Sequence, residues 1–137
     1  MITYAQAYKL LYYNFGQVVY TVPNFLYIGL SSQNPGKAGT NAIEPTGGNY
    51  ARVQYSNTSS AYWSEPINGV MHNSNAITFQ TSSEPWGTMT YVFIADSLTG
   101  GNILYYEALN TPMYVDVNTT VQFLPAALEI SIVNPEA

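Results

Sequence analysis

A chain of 137 residues with 8% charged side chains and a formal net charge of −5 has length enough for one core and little charge to surround it with. Its three basic residues, Lys9, Lys37 and Arg52, cannot supply the cationic field that nucleic-acid binding requires. The absence of cysteine removes disulfides, thiolate metal sites and cysteine nucleophiles, and the apolar runs are too short for a membrane span.

The N-terminal stretch MITYAQAYKLLYYNFG lacks the basic flank and cleavage site of a signal peptide and is expected to be helical over residues 1–16. Thr3 followed three residues later by Gln6 is a capping-box pattern. Ala7, Leu10, Leu11 and Phe15 recur at helical spacing, and Gly16 is a natural stop. A helix of about a dozen residues is not stable alone, so this one must dock on a sheet or on another subunit.

From residue 24 onward the chain reads as strand and turn. NFLYIGLSS sets Phe25, Tyr27 and Gly29 against Leu26, Ile28 and Leu30, apolar on both faces. Residues 33–49 form a long loop rich in Pro, Gly and Asn. YARVQY is a short strand, and SNTSSAYWSEPING is a loop around Tyr62 and Trp63. Further strands are expected at AITFQ, MTYVFIA, NILYYEAL, MYVDV, TTVQFLP and ALEISIV, with a hairpin turn at DSLTGG. Eight or nine short strands at this spacing imply a single all-β domain over residues 1–137. It is an antiparallel β-sandwich over residues 24–133, jelly-roll-like, with one N-terminal α-helix.

Strict alternation places Trp86, Thr88, Thr90, Val92 and Ile94 on one face of the MTYVFIA strand and Met89, Tyr91, Phe93 and Ala95 on the other. Such a strand needs cover on both sides. The helix, the loop at residues 33–49 and a partner subunit are the candidates. The loop is poor in large side chains, which favours a partner. The candidate protein interface is therefore Tyr8, Leu11 and Tyr12 on the helix with Tyr27, Tyr91 and Phe93 on the strands.

Chemistry is sparse. His72 stands alone, so neither a multi-histidine metal site nor a recognisable triad exists. Asp96 and Glu107 flank the DSLTGG hairpin and could approach as a carboxylate pair. The simpler reading makes Asp96 the cap of the turn and leaves Glu107 on an exposed strand position. No cofactor and no catalytic residue is expected. Thirteen Tyr, five Phe and two Trp suit protein interfaces, and they equally suit sugar stacking. Tyr62 and Trp63 are the candidate glycan site.

The segments YKLLYYNFG, LYIGL, NPGKAG, EPTGGNYARV, NSNAITF, WGTMT, DSLTGGNILYYEAL and ALEISI occur in an order that resembles a family of small tailed-bacteriophage virion proteins known as tail fibre proteins, with capsid cement or decoration proteins of similar architecture beside them. The resemblance covers roughly residues 8–132. Two departures are VNTTVQF, in place of a G-D turn, and Ala95 before the Asp. The resemblance implies a virion structural component assembled in the bacterial cytoplasm. Its partners would be the major capsid protein or other virion proteins and further copies of itself, with no nucleic acid or membrane. Within it, the leading expectation is a capsid cement or decoration protein. The alternative is a tail-fibre or baseplate accessory module that binds host-surface glycans.

Overall fold

The structure, a computed structural model, describes residues 1–131. The last two residues of the expected sandwich, 132 and 133, lie outside that range. Among the described residues there is one helix, α1 (Tyr4–Asn14), and eight strands. These are β1 (Phe25–Ser31), β2 (Val53–Ser56), β3 (Val70–His72), β4 (Ile77–Thr78), β5 (Gly87–Ala95), β6 (Ile103–Val115), β7 (Gln122–Phe123) and β8 (Glu129–Ser131). The fold is all-β and antiparallel. One four-stranded sheet runs in the order β2-β1-β5-β6, and two ribbons, β3 with β8 and β4 with β7, stand apart from it. A jelly roll would set a second continuous sheet against the first. Here the second layer consists of two short ribbons.

The main core lies between these layers. Ile28, Leu30, Val92 and Ile94 on the inner face of the sheet join Ile77, Phe79, Val121 and Leu128 from the ribbon side in one buried cluster. Asn73, buried at the end of β3, holds the ribbons together: its amide donates to the carbonyl of Leu124 at 3.0 Å and its Oδ1 accepts from the Leu128 amide at 2.9 Å. A buried side-chain amide satisfied on both sides does the bridging that ladder hydrogen bonds do in a longer sheet.

Two irregularities set which side chains face the core. Between Met89 and Tyr91 the pairing on β6 jumps from Met113 to Ala108, so the residues around Pro112 bulge out. The shift moves Met89 from the face that strict alternation assigns it to the core cluster beside Val92 and Ile94. It also makes MYVDV, expected as a separate strand, the far end of β6. A second shift, between Ile94 and Ala95 against Tyr105 and Ile103, leaves Leu104 as the extra residue.

The outer face of the sheet carries a second cluster of Phe93, Ala95, Ile103 and Tyr106. Gly29 lies directly beneath the Phe93 ring, and any side chain there would collide with it. Above the ring, the Arg52 guanidinium sits 5.1 Å from its centroid. Arg52 donates from Nε to Glu44 Oε1 at 2.9 Å and from a terminal nitrogen to Glu44 Oε2 at 2.8 Å. Its other terminal nitrogen donates to the carbonyls of Ser97, at 2.7 Å, and Gly100, at 2.9 Å. One side chain therefore clasps the loop at residues 33–49 and the hairpin turn over the outer face. Tyr50 completes the clasp, donating to Glu44 Oε1 at 2.7 Å and accepting from the Leu30 amide at 3.0 Å. Burial pushes the Tyr50 phenol far above its ordinary range.

The chain start closes the free edge of β6. Ile2 bridges to Tyr105, and the Thr3 amide donates to the Leu104 carbonyl at 2.9 Å. Thr3 then caps α1 as expected, its Oγ1 accepting from the Gln6 amide. The reciprocal half of the capping box is not made, because the Thr3 amide is committed to β6. The Gln6 side chain reaches Tyr105 Oη instead, at 3.4 Å. Gly16 ends the helical segment at φ 69°.

Candidate functional site

Helix α1 is the part of the molecule whose composition and exposure disagree. Gln6 is its one buried residue. Tyr4, Tyr8, Leu11, Tyr12 and Phe15 follow one another at i, i+4, i+7, i+8 and i+11 and all face solvent, Tyr8 at 56% and Phe15 at 75% of full exposure. Val18 and Val19 extend this apolar surface beyond the helix. The rings of Tyr4 and Tyr8 stack with centroids 6.2 Å apart. Charge is nearly absent: Lys9 turns away to Asp96 at 3.7 Å and over the Tyr20 ring at 5.8 Å, and no acidic or basic residue sits in the terminal turns of α1. Isolated exposed apolar residues are ordinary in soluble proteins, whereas a contiguous uncharged stripe of aromatic rings is not.

The six candidate interface residues therefore separate. Tyr8, Leu11 and Tyr12 stand together on this stripe. Tyr27 and Tyr91 are half-buried on the sheet, with Tyr91 tilted against Tyr106 at 6.4 Å. Phe93 is 1% exposed, closed in by Arg52 and Gly29. The expectation that it meets a partner is corrected: its cover comes from the chain itself. Sequence spacing also grouped Leu10 with Leu11 and Phe15, whereas Leu10 is half-buried and the other two face outward.

Of the two glycan candidates, Trp63 is enclosed and Tyr62 stays partly open. Trp63 is 7% exposed and packs edge-on to Tyr55 at 5.0 Å, inside the main core. Tyr62 is half-buried and meets Tyr55 at 84°. A stacking platform needs a bare ring face, and Trp63 has none to offer. The remaining polar candidates are occupied locally. Asp96 caps the hairpin turn, accepting from the Asn102 amide at 2.8 Å, while the exposed Glu107 lies 3.3 Å from the amine of Met1. His72 pairs with Glu129 across β3 and β8 at 3.3 Å. Among the described residues no three acidic or histidine side chains converge as metal ligands, and no helix is long and apolar enough to cross a membrane.

The motifs that carried the resemblance meet in space. Glu44, Tyr50 and Arg52 of EPTGGNYARV form the clasp over the DSLTGG turn. In the same segment, Gly48 accepts a 2.8 Å hydrogen bond from Trp86 Nε1 of WGTMT. A Cβ on Gly48 would come within 3.0 Å of that indole. These motifs therefore hold the fold together.

The family model described as "Podophage GP4 fiber I protein gp80" matches residues 1–131. No curated protein matches the chain significantly.

Proposed function

The chain belongs to the podophage GP4 fiber I protein family, which makes it a phage virion structural protein of tail-fibre type, and from that premise we propose that it is a packing subunit of the fibre apparatus that joins neighbouring virion proteins, copies of itself included, through the bare face of α1. The observation that carries this reading is the uncharged stripe of Tyr4, Tyr8, Leu11, Tyr12 and Phe15 on a helix that buries only Gln6. A helix with apolar groups on its outward side leaves apolar surface in water until something covers it. The low overall charge suits such permanent packing, since few charges need to be desolvated. Catalysis plays no part in this reading, and the subunit would reach the virion by assembly in the host cytoplasm.

The family's description names a fibre, which supports the fibre position over the capsid-cement position expected from the sequence. The glycan-binding alternative loses its stacking ring with the burial of Trp63. The test is the double variant Leu11→Ser, Phe15→Ser carried in the phage. We expect an intact fold by circular dichroism and loss of the chain from purified virions. Normal incorporation of the variant would overturn the reading, and immunogold labelling of wild-type particles on the head instead of the tail would return the cement position. Association of the wild-type chain should tolerate high salt, because apolar contact and not ion pairing drives it.

A further inference from the structure

A groove of about 470 Å³ opens between α1 and the inner layer of the fold. Leu10 of α1, Leu26 of β1, Ile94 of β5, Leu104 of β6, and Met71 and Ile130 of the β3–β8 ribbon give it apolar walls, which Val22 and Pro23 continue along the connection to β1. Gln6, Tyr20, Asn57, Trp63 and Tyr105 line the remainder, and among the described residues no charged side chain does. Part of this polar chemistry is turned to the chain itself. Gln6 Nε2 donates to Tyr105 Oη at 3.4 Å, and Asn57 Nδ2 donates to the Pro23 carbonyl at 3.0 Å. What the groove presents to an occupant is mainly apolar surface, which favours an aliphatic group.

Strand β8 is aimed at this groove. Leu128, just before it, is buried and Ile130 is half-buried, whereas Glu129 and Ser131 are exposed, so even positions face inward. Val92 and Leu128 border one cleft of the inner face. Val92, Leu128, Ile94 and Ile130 border the next. Ile94 and Ile130 then wall the groove, where Leu104, Gln6 and Leu10 join them. Each two-residue step of the inward row thus advances from Val92 toward α1. In the sequence Ser131 is followed by Ile132 and Val133, and ALEISIV reads as one strand. One further step carries the inward row roughly 7 Å beyond Ile130 and makes position 132 its next member. We propose that Ile132 is the occupant of the groove. It seats between Ile130 and Leu10 and straps the β3–β8 ribbon to α1, while Val133 faces away. Helix α1 buries only Gln6 among its own residues, so the strap supplies a second anchorage for the element that carries the bare stripe. This holds whatever covers that stripe.

Neighbouring positions in the full chain test this against each other. Ile132→Asp should lower the thermal midpoint by about 10 °C, because it sets a carboxylate against apolar walls. Val133→Asp should hold the midpoint within about 2 °C. The chain has no cysteine of its own, so a single introduced thiol reports burial even where the Asp variant fails to fold. The Ile132→Cys thiol should react with a disulfide reagent such as DTNB about tenfold more slowly than the Val133→Cys thiol. Leu10→Trp, which fills the groove from α1, should bring the Ile132→Cys rate up to that of Val133→Cys. Equal rates at the two positions, equal midpoint shifts, or protection that survives Leu10→Trp would overturn the proposal. Protection of Ile132→Cys that vanishes on dilution would overturn it as well, since the occupant would then come from a second copy of the chain.

Discussion

The outer face of the sheet and the outer face of α1 are both richer in apolar side chains than a surface in water should be, and the molecule treats them in opposite ways. Over the sheet, Arg52 reaches across Phe93, takes Glu44 in a two-pronged ion pair and holds the carbonyls of Ser97 and Gly100. Two polar loops are thereby tied down as a roof. Over the helix nothing comparable exists among the described residues, and six large apolar side chains from Tyr4 to Phe15, Tyr13 included, stay bare. The contrast teaches that excess apolar surface is not by itself a sign of partnership. It becomes one only where the chain supplies no roof of its own.

The strongest way to break this comparison is to remove the clasp. Arg52→Ala leaves Glu44 without its partner and two loop carbonyls without donors, so urea denaturation should show a loss of about 3–5 kcal/mol. A change of under about 0.5 kcal/mol would mean that the loops hold the outer face without Arg52. Gly29→Ala acts on the same roof from below. The added methyl would run into the Phe93 ring, and overpacking of this kind should cost about 1–3 kcal/mol in the same assay.

Alkali probes the clasp through Tyr50. The folded-state phenol titrates above its unfolded value of about 10, so the folded protein holds the proton that the unfolded chain gives up. Stability from this source is complete below about pH 10 and drains away as pH rises beyond it. Tyr105 and Tyr106, also raised chiefly by burial, act in the same direction. The urea midpoint should be flat through neutral pH and fall above about pH 10, and the fall should be shallower in Tyr50→Phe. An equal slope in that variant would place the alkaline sensitivity elsewhere. The smallest effect on stability belongs to the helix: Leu11→Ser, Phe15→Ser should shift the unfolding free energy of the isolated chain by no more than about 0.5 kcal/mol while it removes assembly. A large loss of stability would show that the stripe packs on its own chain after all.

Local chemistry made much of the fold legible. Thr3 and Gly16 bracket a helix because a capping hydroxyl and a left-handed glycine are needs of the immediate backbone. The strand at NFLYIGL and the turn capped by Asp96 follow from composition over a few residues. The ribbon strand β3 was not legible, since three residues of VMH become a strand only by pairing with β8 far along the chain. The candidate site was half legible. Tyr8, Leu11 and Tyr12 were named from the excess of apolar residues, whereas helical spacing grouped the half-buried Leu10 with the exposed Leu11 and Phe15, because the side of α1 that the sheet covers carries no local signal.

By itself, the sequence determined an all-β chain with one short helix, poor in charge and laden with tyrosine. Only the tertiary structure decided which apolar residues are hidden: it buried Phe93 under Arg52, drew Trp63 into the core, turned Met89 inward through a bulge and left Leu11 and Phe15 bare. Periodicity and propensity act over a few neighbouring residues, whereas burial of a second face depends on which distant segment arrives to cover it.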